Sequence, residues 1–413
     1  MIEILDKHNC CGCEACVQAC PKRCISFEED AEGFRYPLAD KTVCIDCGLC
    51  EKVCPVLHQA EERNPLEVYA AKNRDEQELL KSSSGGIFIL FAKTVIHHGG
   101  VVFGAKFDKE WNIIHAYAET EGDVEAFMGS KYVQSRIGNT YKEAKTFLEA
   151  GRQVLFSGTS CQIAGLKRFL RKEYDNLLTV DVICHGVPSP KVWRMYLEEI
   201  KQNARNGENS VSSPLTHLIS ERDALAESVQ IKSISFRDKR LGWKKYSFAL
   251  TLAKASAGGK QNTVLLSHIH REDPYMKVFL KNIILRPSCY SCSAKGGRSM
   301  SDITIADFWG VEKVLPDFDD DRGVGLLMVN TEQGKKIVSS LDVDKIPMSL
   351  TDAIRGNLAY IKAVLPNSHR NKFFQNLNSN NKIISLANRY TRPSIKIRIL
   401  HFLSKIKSKF IVS

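Results

Sequence analysis

Apolar and polar positions along this chain fall into short blocks whose period changes at glycines. "GGIFILFAKTVIHHGG", residues 85–100, reads as a helix opened by the serines and glycines before it and closed at Gly99 and Gly100; "VVFGAKF" follows as a strand. "YKEAKTFLEAG" is an amphipathic helix ending at Gly151. After it "RQVLFSG" is a buried strand, "CQIAGLKRFLRK" a helix and "NLLTVDVIC" a second buried strand. Strands alternating with helices predict an α/β body with a largely parallel core. Beyond Pro190 the pattern loosens. "SISFRDKRLGWKKYSFALTLA" alternates like antiparallel strands around a turn at Leu241 and Gly242, "SDITIADFWG" is a strand ending in a polar-aromatic loop, and residues 205–230 look like a polar surface insertion.

The expected organisation is α+β and α/β: a cysteine-rich unit over residues 1–60, two parts of one mixed α/β body over 61–185 and 186–340, and a helical tail over 341–413. A polar linker, "HQAEERNPLE", follows the first unit. At 413 residues, two or three domains are the prior, and a composition 43% hydrophobic and 25% charged suits globular domains rather than disorder. No signal-peptide pattern and no apolar run of spanning length is present, so a cytoplasmic location is expected. In that compartment thiols stay reduced, and fourteen cysteines then point to metal or redox chemistry instead of disulfides.

Eight of those cysteines form two copies of one pattern. Cys10, Cys13, Cys16 and Cys20 before Pro21 read C-x2-C-x2-C-x3-C-P, and Cys44, Cys47, Cys50 and Cys54 before Pro55 repeat it. This is the spacing of a bacterial ferredoxin with two 4Fe-4S clusters: two-residue steps wrap the backbone around one cubane, and the fourth cysteine reaches the other. The expected ligand sets are Cys10, Cys13, Cys16 with Cys54, and Cys44, Cys47, Cys50 with Cys20. A zinc site would use two pairs rather than a run of four. Cys11 and Cys24 are left over and read as packing thiols.

The formal charge of +11 counts these cysteines as neutral. An oxidised cubane with four thiolates carries about −2, so three of them would bring the balance to roughly +5. The basic surplus is thus no evidence for nucleic acid. It persists at the end, where Arg392 onward holds six Lys or Arg and no acid. There Ile395, Ile399, Phe402, Leu403, Ile406 and Phe410 recur at helical spacing opposite Lys396, Lys405, Lys407 and Lys409. Such a helix either lies peripherally on an anionic membrane surface or docks on its own body.

Four cysteines remain. Cys161, in "VLFSGTSCQIAGL", opens a helix after a strand; Cys184, in "VDVICHGVPSP", ends the next strand; Cys289 and Cys292 lie in "PSCYSC". In an open α/β sheet the carboxyl ends of strands line the ligand crevice, so these thiols either form a third site there or are two buried hydrophobes and an isolated pair. "KSSSGG", "GSKYVQS", "VLFSGTSCQIAGL", "DVICHGVPSP", "FRDKRLGW" and "SDITIADFWG", in this order, resemble the beta subunit family of coenzyme F420 hydrogenase and dehydrogenase. The resemblance is greatest to bacterial members with an N-terminal ferredoxin dicluster, often found in polysaccharide-gene neighbourhoods. It spans about residues 1–330.

That resemblance implies FAD and a body iron-sulfur cluster, here a third 4Fe-4S cluster on Cys161, Cys184, Cys289 and Cys292. It implies flavin contacts from Ser83, Ser84, Gly85 and Gly86, whose hydroxyls and amides stand where a helix begins, from Lys131 at the pyrophosphate, and from Gly158, Thr159 and Ser160. Read alone, the serine-glycine stretch is an ordinary helix start and Lys131 a solvated charge. His185 either donates protons at the flavin or is structural; Asp307 either holds a flavin or substrate group or caps the loop anchored by Trp309. The implied function is an oxidoreductase passing electrons between ferredoxin-type clusters and FAD to act on a small molecule, with surface polysaccharide biosynthesis as a setting and ferredoxin or another redox protein as partner. The alternative is an electron-delivery subunit with no substrate site. Coenzyme F420 itself is not implied, because no residue here ties to a deazaflavin pocket.

Overall fold

The computed structural model describes residues 1–206, 228–255, 261–377, 379 and 381–392. Within them the strands are β1 (Ile25–Glu29), β2 (Arg35–Ala39), β3 (Glu67–Asn73), β4 (Val101–Phe107), β5 (Ile113–Ala118), β6 (Val154–Thr159), β7 (Leu177–Val182), β8 (Ser228–Asp238), β9 (Ser247–Ala255), β10 (Gln261–Ile269), β11 (Ile303–Asp307), β12 (Gly325–Val329) and β13 (Val343–Pro347). β1 and β2 form a hairpin in the cysteine-rich head, β8 to β10 a meander, and the other eight one sheet in the order β13-β3-β12-β11-β7-β6-β4-β5.

The large sheet is parallel only in its centre. β4, β6, β7 and β11 run parallel, while β5 on one flank and β12, β3 and β13 on the other pair antiparallel. The apolar runs of β4, β6 and β7 are covered on both faces, which is why they read as continuous rather than alternating. Val102, Leu155 and Leu178 face the helices Ile87–His97 and Glu332–Ser340. Val101, Phe103, Val154, Phe156 and Leu177 face the helices Thr140–Glu149 and Ser160–Leu170, together with Cys13, Ala15 and Val53 of the head. The head is thus part of the body's core on that face. Phe103 and Phe156 stack there at 5.2 Å, and each fully buried aromatic of this kind contributes about 1.5–3 kcal/mol.

A second core lies under the β8–β10 meander. It gathers the helices Pro190–Arg205 and Pro274–Leu280, each with an N-cap side chain (Ser189, Asp273) and a proline in its first turn. The segment 341–413 departs from the helical tail expected of it. It opens with β13, which pairs with the free edge of β3, and its helices Arg370–Leu377 and Ile383–Thr391 bury Phe373, Phe374, Ile383 and Leu386 in this second core. The amphipathic basic stretch from Ile395 and most of the polar insertion lie outside the described residues. Among the described residues no helix is long and apolar enough to cross a membrane.

Candidate functional site

The duplicated cysteine run builds two backbone cradles of one shape. Gly12 (φ 73°) and Asp46 (φ 48°) occupy equivalent places before Cys13 and Cys47, and Glu14 (φ 59°) and Gly48 (φ 69°) follow those cysteines. Left-handed residues at alternate positions curl successive N–H groups toward one centre, the concavity that sulfur-ligated clusters use. The short helices Ala15–Ala19 and Leu49–Lys52 then carry the third cysteine of each run.

Cys20 lines the same cavity as Cys44, Cys47 and Cys50, the crossed-over set expected from the spacing. In the other cradle burial pushes the Cys16 thiol up, and Cys10 and Cys54 beside it push it further; burial, with Cys10 again, does the same to Cys54. Cys13, Cys16 and Cys54 so placed are costly to ionise unless a cationic centre takes up their charge, which is the chemistry of cluster ligands. Cys24 also lines the outer cavity, its Sγ 3.4 Å from that of Cys20.

The four body cysteines converge. β6 and β7 are in parallel register, Thr159 opposite Val182, which places Cys161 in the first helical turn beyond one strand and Cys184 just beyond the other. Cys289 lies in the turn Pro287–Ser291, with Cys292 directly after it. Burial raises the Cys289 thiol, and Cys184, Cys292 and Cys161 add to the rise; burial pushes Cys184 up to about 12. Val187 N–H points at Cys289 Sγ (3.4 Å), and Lys295 Nζ donates to Cys184 O at 2.6 Å.

Cys11, set aside as a packing thiol, interacts with Cys13 of the head on one side and Cys161 of the body on the other. Gly165, on the helix that begins beside Cys161, lets Cys13 approach so closely that an added Cβ would sit 3.0 Å from its Sγ.

The residues assigned to the flavin divide. Ser83 and Lys131 line a cavity of about 280 Å³ with Phe107, Ser130, Phe236 and Arg237. Among the described residues Lys131 Nζ donates only to the carbonyls of Met128 and Gly129, and burial brings its pKa down to about 7. Ser83 Oγ accepts from Ser130 N. The rest of that motif serves packing. Ser84 Oγ donates to Val324 O, and Gly85 lies so close to β3 and β12 that a Cβ would sit 2.3 Å from Gly325 N. Gly86, rather than a serine, begins the helix, in a left-handed conformation against Asn73. Gly158, Thr159 and Ser160 lie beside Cys161, where Thr159 and Gln162 form a capping box.

Neither candidate catalytic residue is free. Asp307 accepts both guanidinium nitrogens of Arg237 (2.8 and 2.9 Å) and Trp243 Nε1 (2.8 Å), so it fixes Arg237 at the cavity rather than capping the Trp309 loop. His185 pairs with Asn282 Oδ1 at 2.6 Å and meets the edge of Phe279. Sequence reasoning noted "FRDKRLGW" without giving Arg237 a role. It also passed over Arg286, three residues before Cys289 and 1% exposed. Arg286 donates to Cys10 O (2.7 Å), Gln134 Oε1 (3.0 Å) and Arg35 O (3.0 Å), and its NH2 lies 3.4 Å from Cys10 Sγ. An arginine closing an apolar run just before a cysteine pair was the available signal.

Comparison with known proteins agrees with this division of the chain. Residues 9–57 match the family model of the 4Fe-4S dicluster domain, and residues 151–349 match the model for the C terminus of the coenzyme F420 hydrogenase/dehydrogenase beta subunit. Through residues 151–349 the chain belongs to the coenzyme F420 hydrogenase/dehydrogenase beta subunit family. It is 25% identical over 253 residues to the F subunit of F(420)H(2) dehydrogenase from Methanosarcina mazei, covering 56% of this chain and 70% of that protein. Its head is 44% identical over 64 residues to Ferredoxin 7Fe of Hydrogenibacillus schlegelii, 15% of this chain and 76% of that one. A chain of the F420-reducing NiFe hydrogenase complex from Methanosarcina barkeri aligns over 80% of this chain and 93% of its own at 15% identity, TM-score 0.41. This member of the beta subunit family therefore carries an iron-sulfur dicluster head on an oxidoreductase-family body.

Proposed function

We propose that the chain is an iron-sulfur flavoprotein oxidoreductase that moves electrons between a redox partner at its head and a small-molecule substrate at its body. One observation supports the reading: Cys11 stands between Cys13 of the head and Cys161 of the body, so the head cysteines adjoin the body cysteines. The outer set, with Cys47 exposed, faces a partner such as ferredoxin; the inner set is Cys10, Cys13, Cys16 and Cys54; the body set is Cys161, Cys184, Cys289 and Cys292.

Clusters carry single electrons and a flavin exchanges either one or two, so the two cofactors together join a protein wire to organic chemistry. The cavity at Ser83 and Lys131 suits the phosphate-bearing part of FAD, since Lys131 Nζ has carbonyl partners and no carboxylate ion pair among the described residues, and a bound phosphate would favour the charged form that burial disfavours. Side chains bridge that cavity to the body thiols. Arg237 donates to Tyr132 OH (3.2 Å), Tyr132 stacks on Phe279 (4.7 Å), and Phe279 meets His185, next to Cys184. The proposed setting is the cytoplasm, with a surface-polysaccharide precursor as the substrate class.

Anaerobic purification with iron, sulfide and flavin quantified tests the scheme. About twelve irons and one FAD per chain are expected; eight irons would remove the body cluster, and absence of flavin would remove the substrate chemistry. A second reading, an electron-delivery subunit without its own substrate, is favoured by the internal engagement of both Asp307 and His185. Dithionite-reduced protein that turns over no small molecule yet binds a partner tightly would select it.

A further inference from the structure

Arg286 is a buried cation with an unusual set of neighbours. Its guanidinium lies over the Tyr36 ring at 4.3 Å, and its hydrogen-bond partners are carbonyls, an amide and the sulfur of Cys10; among the described residues no carboxylate pairs with it. A buried charge without a counter-charge is expensive, so a negative group is needed nearby. Among the described residues the ionisable groups that act on it most are Cys10, Tyr36, Cys11 and Cys289, and Cys161 of the body also feels its charge. A cluster held by four thiolates carries net negative charge, and at the inner set it would meet that need.

The same residue also reaches the body. Its carbonyl accepts from Cys289 N (3.0 Å), and its own N–H donates to Val187 O (3.0 Å), beside the loop of Cys184. One residue thus clamps a head ligand and a body ligand. Among the described residues no arginine clamps the outer cradle in this way: Lys22 and the Met1 amino group line its cavity, the latter already paired with Asp46 and Glu51, and at Cys44, the equivalent of Cys10, the sulfur accepts from Asp46 N (3.4 Å).

We infer that Arg286 is the counter-charge of the inner cradle, making the cluster held there easier to reduce than the outer one, so that electrons arriving at the exposed end are drawn toward the body. Resting on the proposed wire, this gives it a direction. A fixed guanidinium bonded to a ligand sulfur stabilises the more negative state, and hydrogen bonds to sulfur and local charge are what set such potentials. The step is a bare one-electron transfer: the outer cluster is oxidised, the inner reduced, and no proton or bond is exchanged.

EPR-monitored redox titration of the full-length, anaerobically reconstituted protein decides this. In Arg286→Gln one head cluster should become harder to reduce, its reduced-to-oxidised ratio at fixed poise falling about tenfold, equivalent to about 59 mV for one electron, with the other unmoved. Arg286→Lys, which keeps the charge but not the fork, should fall between. Unchanged potentials in Arg286→Gln with head iron intact would overturn the inference. Where the Gln variant fails to fold or loads less iron, an Arg286→Lys protein titrating like wild type overturns it instead. A wild-type protein with eight irons would sink the body site alone and leave this titration readable, because it concerns only the head clusters.

Discussion

The two cradles of the head share a sequence pattern and a backbone, yet live in different surroundings. In the inner copy Glu14 Oε2 accepts Gly138 N (3.1 Å), and Gln18 Oε1 accepts the amides of Tyr141 and Lys142 at the start of a body helix (3.0 and 3.1 Å). Their outer equivalents, Gly48 and Lys52, make no such bridge: around Gly48 an added Cβ would meet nothing within 4 Å. Local spacing dictates how a cluster is held, while tertiary contacts dictate whether it faces the body or the solvent. The asymmetry is therefore written in the residues between the cysteines and in those that pack on them, and it can be broken one residue at a time.

The largest effect is expected at the far end of the wire. Cys289→Ser should remove about four of twelve irons and stop electron flow from head to body, while the EPR signals of the two head clusters stay as in wild type. Loss of the head signals as well would show that the sets are not separable. Next come the paired residues Gly12 and Asp46. Gly12→Ala places a Cβ 2.5 Å from Gln134 Nε2 and 2.9 Å from Arg286 NH1, at a φ of +73° that itself disfavours a side chain. Strain of this kind costs about 1–3 kcal/mol. Asp46→Gly, at the equivalent but exposed position, relieves a left-handed non-glycine residue and should leave stability nearly unchanged. Anaerobic denaturant unfolding of both variants checks the contrast; equal losses would refute it.

What the chain made legible follows the same line between local and distant. The cradles were readable because each run of four cysteines fits within a dozen residues, and strands such as Val154–Thr159 because a short apolar run bounded by glycine leaves few alternatives. β13, "VDKIP", was not: it is half polar, and only the open edge of β3, 270 residues earlier in sequence, makes it a strand. Arg286 meets Cys10 across 276 residues, a contact no window of sequence contains. In the serine-glycine stretch the same distance hid a packing role, since Gly85 lies against Ala71 and Gly325. Cys11 looked incidental because its neighbour Cys161 lies on another element.

Gly165→Ala sharpens the comparison at smaller scale. In an open helix this change gains up to about 1 kcal/mol. Here the new Cβ would lie 2.9 Å from Cys13 Cβ and 3.1 Å from Tyr141 OH, so head and body must separate by a few tenths of an ångström. A net loss of about 1–3 kcal/mol is expected, as for other overpacked sites. Tunnelling weakens steeply with distance, so the head-to-body electron transfer rate should fall too, with both head potentials unmoved. A stabilised variant with the wild-type rate would show that the junction has slack.

The smallest effect belongs to Cys24, the surplus thiol of the outer cradle. It shares a cavity with Cys44, Cys47 and Cys50, and stands 3.4 Å from Cys20 Sγ, so geometry alone leaves two candidates for the fourth ligand. The spacing decides for Cys20, because the cysteine that precedes the proline is the one that crosses to the partner cluster. Cys24→Ala should then keep all eight head irons and cost about 1 kcal/mol for a small buried side chain. Cys20→Ser should lose the outer cluster. The reverse pattern would exchange their roles, and retention of iron in both variants would mean that the outer cradle, unlike the inner, carries a spare ligand.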